Sequence, residues 1–186
     1  MQSAIYRALF PGTRLSSQRP PLDELVTTRQ RVRLATSVAG VLTGYGAEIV
    51  IIDDPLKPEN AFSDVARKRA NDWFSGTLRT QLNSHKTGRF VIVMQRLHED
   101  DLVGHILETV DAEDVRLLRF PAIADNDETY TIMSPLGKPI TYLRSIGDLL
   151  HPEREDRATL DRLRQSMGIY NFSAQFLQSP VHQMAA

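Results

Sequence analysis

Ile49-Val50-Ile51-Ile52-Asp53-Asp54-Pro55 is the stretch on which the fold class turns. Four aliphatic, β-branched residues in a row suit a strand buried on both faces, the habit of parallel sheets covered by helices. The run stops at two acids and a proline, so the strand delivers two carboxylates at its C-terminal end. A second run, Phe90-Val91-Ile92-Val93-Met94, repeats the pattern and leads into Gln95-Arg96-Leu97-His98-Glu99-Asp100-Asp101. Between the two the period changes. Phe62, Val65, Ala66, Ala70, Trp73, Phe74, Thr77, Leu78 and Leu82 recur at steps of three and four, which predicts an amphipathic helix capped by Ser63 and closed by Lys86-Thr87-Gly88. Asp100 to Val110 reads as a further helix, with Leu102, Val103, Ile106, Leu107 and Val110 as its buried stripe, and Val115 to Phe120 as a third strand. Strand, helix, strand, helix, strand is the alternation of an α/β fold with a mostly parallel sheet flanked by helices.

The flanks differ in character. Residues 1–30 form a basic lead-in: arginines at 7, 14, 19 and 29, continuing at 31 and 33, face only Asp23 and Glu24, and Pro20-Pro21 interrupts any helix. Arg31-Val32-Arg33-Leu34-Ala35-Thr36 alternates like a half-buried strand, and Gly40, Gly44 and Gly46 around Val41-Leu42 predict a glycine-rich hairpin or loop. The α/β segment spans 31–124. In the last segment, 125–186, the Thr129-Tyr130-Thr131-Ile132-Met133 and Ile140-Thr141-Tyr142-Leu143 runs flank Leu136-Gly137-Lys138-Pro139 as a hairpin would. His151-Pro152-Glu153 resets the chain into two helical parts, Thr159 to Met167 and Asn171 to Leu177, ahead of a loose end through His182 and Gln183.

Composition sets outer limits on function. The 186 residues are 41% hydrophobic and 24% charged, the balance of a globular protein, and a net charge of -1 excludes a uniformly basic nucleic-acid coat. Without cysteine there is no disulfide framework, thiolate zinc site or cysteine nucleophile, which fits a reducing cytoplasm. The opening MQSAIYRALFPGTRL lacks the apolar core of a secretory signal, and no membrane contact is expected.

Two clusters could carry chemistry. Asp53-Asp54 sits where open α/β sheets bind ligands, outside the carboxyl end of a strand; one carboxylate there can hold Mg²⁺ while the other orients a water. Turn chemistry before Pro55 explains the same acids without a ligand. Gln95, Arg96, His98 and Asp101 occupy the next strand-to-helix junction, placed to sense a phosphate or hold a metal. For Glu99, Asp100 and Asp101, the first turn of a helix is explanation enough. Thr43-Gly44-Tyr45-Gly46-Ala47 reads as a turn, since neither it nor Gly137-Lys138-Pro139 is the G-x-x-x-x-G-K-[ST] loop that cradles phosphates. His85, His105, His151 and His182 lack partners at metal-ligand spacing, and no G-x-S-x-G elbow is present.

Taken in order, Arg33-Leu34-Ala35-Thr36-Ser37-Val38-Ala39-Gly40-Val41-Leu42-Thr43-Gly44-Tyr45-Gly46-Ala47, Ile51-Ile52-Asp53-Asp54-Pro55-Leu56-Lys57, Asn71-Asp72-Trp73-Phe74 and Arg96-Leu97-His98-Glu99-Asp100-Asp101-Leu102-Val103-Gly104 resemble the large terminase subunit of tailed bacteriophages. Leu150-His151-Pro152-Glu153-Arg154 and the Tyr170-to-Pro180 stretch resemble that family's closing segment, so the resemblance runs from about Arg14 to Pro180. It implies a DNA-packaging motor of the host cytoplasm, with an ATPase domain of the P-loop NTPase-like, additional-strand type and a nuclease domain. The partners it implies are double-stranded DNA, the portal and the small terminase subunit, and the cofactors ATP and Mg²⁺. In that frame residues 31–124 are a partial ATPase core and 125–186 its hairpin and helical end. Asp53 matches the Walker B residue that holds Mg²⁺. Asp54 matches the carboxylate that activates water, where other branches carry Glu. Gln95, Arg96, His98 and Asp101 match the coupling segment that senses the γ-phosphate.

The family's phosphate loop (Walker A) and nuclease have no counterpart in these residues. The expectation is therefore a truncated ATPase domain, inactive by itself: a split gene, a prophage remnant, or one half of a protein whose missing loop a second chain supplies. Two other classes compete with it. One is a non-catalytic module docking through the basic lead-in or through Arg154, Arg157, Arg162 and Arg164, which Glu153, Glu155, Asp156 and Asp161 interleave. The other is a small metal-dependent phosphohydrolase or nuclease using Asp53, Asp54, His98 and Asp101.

Overall fold

The structure is a computed structural model that describes residues 3–16, 23–38, 40, 42, 44–134 and 137–180. Pro20-Pro21, part of the glycine-rich stretch (Ala39, Val41 and Thr43), the Leu136 turn position, and His182 and Gln183 lie outside the described residues. The chain divides into two compact units, Met1–Gly46 and Ala47–Ala186.

In the first unit, α1 (Ala4–Leu9) is capped by Ser3, whose Oγ accepts the Tyr6 N–H at 3.2 Å. Strands β1 (Glu24–Val26) and β2 (Val32–Leu34) pair antiparallel, with Glu24 opposite Leu34 and Val26 opposite Val32. The alternating stretch from Arg31 therefore does form a strand, and its partner comes from the lead-in. Thr27 closes the loop between them: its Oγ1 accepts the Arg31 N–H, and its own N–H reaches the Arg31 carbonyl. None of the unit's described residues is buried, and those described are joined by local hydrogen bonds.

The second unit contains the expected strand–helix–strand element. Strands β3 (Ile49–Asp53) and β4 (Arg89–Val93) run parallel, in register from Ile49 opposite Arg89 to Asp53 opposite Val93. Parallel neighbours need a long crossover, and α2 (Asp64–Gly76) supplies it, starting at the Ser63 cap read from sequence. The helix stops at Gly76 instead of running on to Leu82. Gly76 and the β-branched Thr77 are poor helix formers, and a short 3₁₀ turn over Leu78–Gln81 follows. Its buried face is Arg67, Ala70 and Phe74, while Phe62 and Val65 of the expected stripe face solvent.

Helix α3 (Leu102–Thr109) buries Leu102, Gly104 and Ile106. Strands β5 (Glu128–Met133) and β6 (Pro139–Arg144) form the expected hairpin, with Tyr130 opposite and stacked near Tyr142. Helix α4 (Arg157–Gln175) leaves helical geometry at Gly168, at φ 79° and ψ 161°, a conformation open to glycine alone. The two helical parts read from sequence are therefore the two arms of one broken helix. Leu56, Phe74, Leu97, Leu102, Leu160 and Phe172 make up most of the aliphatic and aromatic core.

Two expectations about the sheet are corrected. The protein is mixed α/β, but its described strands form three separate two-stranded sheets, of which only β3–β4 is parallel. Val115 to Phe120 is not a strand: no backbone hydrogen bond joins Arg116 to Arg119 to another strand, and Phe120 is tied to the Gln178 side-chain amide instead. Among the described residues no helix is long and apolar enough to cross a membrane.

Candidate functional site at the ends of β3 and β4

Parallel pairing brings the two polar clusters side by side, because both strands end at the same edge. Asp53 is exposed, and its carboxylate has no partner among the described residues. Asp54 follows with a left-handed backbone (φ 40°), which Asp tolerates better than most side chains. Its N–H donates to the Val93 carbonyl at 3.0 Å, and its Oδ1 accepts the Gln95 N–H at 3.4 Å. One residue thus bonds to the last residue of β4 and to the loop that follows it, tying the end of one strand to the start of the loop after the other.

That loop is held from three helices. From α2, the Asn71 side-chain amide donates to the Asp100 carbonyl at 3.2 Å. Arg67, almost wholly buried, donates to the Ala61 carbonyl and to Asp64 and lies 3.9 Å from the Asp100 carboxylate. From α4, the Tyr170 hydroxyl donates to the Leu97 carbonyl at 3.0 Å. Burial is the main force pushing the Tyr170 pKa above its ordinary value; Arg67 pulls it down, while Glu99 and Asp101 add to the rise.

From α3 comes the tightest hold. Asp101 is wholly buried and caps the helix. Its two oxygens accept the Arg96 Nε–H at 3.1 and 3.0 Å, the Leu97 N–H at 3.1 Å and the Gly104 N–H at 3.0 Å. Gly104 is obligatory at this junction, because a Cβ there would lie 1.7 Å from the Glu99 carbonyl oxygen. His98 Nδ1 accepts the Asp100 N–H at 3.1 Å, an arrangement that puts a neutral ring's proton on Nε2.

The sequence-predicted residues therefore separate into two groups. Asp53 and Asp54 are exposed carboxylates, Gln95 is exposed beside them, and Arg96, Asp101 and His98 build the loop itself. Asp101 cannot join Asp53 and Asp54 around a metal without giving up an N-cap and an ion pair, and no group of three or more His, Asp or Glu among the described residues is placed to hold one. Mg²⁺ asks for less than such a cage. It keeps most of its waters and binds through one or two carboxylates plus substrate phosphates, a demand that Asp53 fits, with Asp54 beside it.

Sequence reasoning missed Arg67, Asn71 and Tyr170. Arg67 alone carried a signal, lying three residues before Ala70 and seven before Phe74 on the buried face of α2. Scanned against models of known protein families the chain matches none, and a search of curated proteins finds no match.

Proposed function

We propose that the chain is part of the ATPase domain of a phage terminase large subunit, a P-loop NTPase-like element of an ATP-driven DNA-packaging motor acting in the bacterial host. The observation that carries the reading is the Asp54–Gln95 hydrogen bond, which joins an acidic pair at the end of one buried-type strand to the polar loop of its parallel neighbour. In that reading Asp53 holds Mg²⁺, Asp54 orients the attacking water, and Gln95, Arg96 and His98 pass a change at the phosphate to the helices behind them. Mg²⁺, when bound, would neutralise phosphate charge. Asp101 belongs to this device as a positioning residue: it fixes Arg96 and the start of α3. The 186 residues contain no G-x-x-x-x-G-K-[ST] loop, so in this reading the amides and lysine that grip β- and γ-phosphates come from outside them. The portal, the small terminase subunit and double-stranded DNA are the partners this reading implies.

The test is titration of a fluorescent ATP analogue with Mg²⁺, wild type beside Asp53→Ala. Weak, Mg²⁺-dependent binding that disappears in the variant is expected. Binding indifferent to Asp53→Ala, or none at millimolar nucleotide, overturns the nucleotide site. A docking module is the second reading. The observation in its favour is that Arg7, Arg14, Arg29, Arg31 and Arg33 are all exposed on a unit with no buried residue among those described.

A further inference from the structure

The parallel pair β3–β4 has one covered face and one bare one. Val50, Ile52, Phe90 and Ile92 share the covered face, where Phe74 of α2 meets Phe90 edge-on at a ring distance of 5.2 Å. The other face carries Ile49, Ile51 and Asp53 from β3 against Arg89, Val91 and Val93 from β4. All six are exposed, Ile51 by 69% and Val93 by 56%. Parallel sheets are normally covered on both sides, and a contiguous aliphatic patch rimmed by charge marks an interaction surface.

The charges on this face have a pattern. Arg89 opens β4 and Asp53 closes β3, so opposite charges occupy diagonal corners of a rectangle whose centre is Ile51 and Val91. Such a face is complementary to a copy of itself in one orientation. We propose that a second copy of this chain covers it, the two sheets stacking about a two-fold axis that lies between them and crosses the strands. Ile51 and Val91 then meet their own counterparts. Each Asp53 sits over the second copy's Ile49, about 4.8 Å sideways from the second copy's Arg89 and about 10 Å away between sheets, a gap the two side chains span together. Two symmetric ion pairs flank an aliphatic centre, as an isologous contact requires. The alternative stacking, with strands parallel, brings Asp53 beside Asp53 and Arg89 beside Arg89, and charge repulsion rejects it. The face is short, so the dimer belongs to the weak class of contacts and dissociates on dilution through the micromolar range.

Sedimentation velocity on the full chain, from low to about a hundred micromolar, reads the outcome directly. A reversible monomer–dimer equilibrium is expected. Ile51→Lys, at an exposed position, should weaken it at least tenfold while circular dichroism stays that of the wild type. Asp53→Arg and Arg89→Asp should each weaken it, and the double variant Asp53→Arg/Arg89→Asp should restore it. A monomer at every concentration, a dimer indifferent to Ile51→Lys, growth beyond the dimer, or a double variant no better than the singles overturns the proposal. Ile51 and Arg89 are not among the proposed nucleotide-site residues, so loss of the dimer in Ile51→Lys or Arg89→Asp is read separately from the nucleotide titration.

Discussion

Replacing Asp101 should be the most damaging single change in the loop after β4, and the size of the loss can be worked out. Two buried carboxylate oxygens receive hydrogen bonds from Arg96 Nε, Leu97 N and Gly104 N. Asp101→Ala removes a helix cap, worth about 1 kcal/mol. It strands the Leu97 N–H, for about 1–3 kcal/mol, and leaves a largely buried guanidinium unpaired, for about 3–5 kcal/mol. The three losses share two oxygens and do not add, so the expected total is about 3–5 kcal/mol, a large part of the roughly 5–15 kcal/mol available to a domain. Asp101→Asn keeps one oxygen for the cap but turns an amide donor toward Arg96 or Leu97, and about 2–3 kcal/mol should go. Urea unfolding followed by Trp73 fluorescence reads both, since Trp73 is the chain's one tryptophan and lies on α2 in the same unit. A loss below about 1 kcal/mol in Asp101→Ala would refute the assignment of Asp101 as the anchor of this loop.

Three further outcomes follow from local geometry. Asp54→Asn and Asp54→Gly should leave stability within about 0.5 kcal/mol, because both accept the left-handed backbone, whereas Asp54→Val should cost about 1–3 kcal/mol; equal midpoints in urea would contradict this. Gly168→Ala should cost about 1–3 kcal/mol or straighten α4, seen as a lower melting temperature or added helical ellipticity, and an unchanged protein would refute the need for glycine. Asp156 caps α4, and hydrogen bonds from the Thr159 hydroxyl and then its backbone N–H lower its pKa below the ordinary 3.8. Its stabilising share is therefore present above pH 3.8 and lost as pH falls through the lowered folded value. Asp156→Asn, still a good cap, should match the wild type at pH 7 and lose less stability on acidification; a parallel acid limb in both proteins would contradict the shift.

Much of this architecture was legible because it is written in local pattern. The β-branched runs located β3 and β4, the change of period located α2, and the Thr- and Tyr-rich runs around Gly137 located the hairpin. The cluster at Gln95 to Asp101 was legible as a place. The depth of its members was not, because their contacts are set by distant residues: the Tyr170–Leu97 bond spans 73 positions, and the Asn71–Asp100 bond spans 29. Arg67, absent from the apolar stripe read in sequence, is buried against a carbonyl and two carboxylates. The runs themselves misled in one respect. A β-branched run states that both faces of a strand need cover, not what supplies it, and Ile49, Ile51, Val91 and Val93 are exposed among the described residues. Val115 to Phe120 failed as a strand for a related reason: strand propensity is realised only where a neighbouring edge offers hydrogen bonds.

The distribution of stability around the candidate site has a mechanical consequence. On the β4 side the loop is over-determined, fixed by Asn71, Asp101 and Tyr170 from three helices and wedged by Gly104 against the Glu99 carbonyl. On the β3 side Asp53 and Asp54 are exposed, and the link across is the backbone pairing plus the Asp54–Gln95 bond, long at 3.4 Å. A cation drawn to Asp53 and Asp54 would compete with the Gln95 N–H for Asp54 Oδ1, loosening the side-chain link between the acidic pair and the clamped loop. Coupling between a ligand and the helices would then run through one weak, replaceable contact beside a rigid segment. Small changes in charge act most effectively on a joint of this kind, because a packed loop shifts between discrete arrangements instead of deforming continuously.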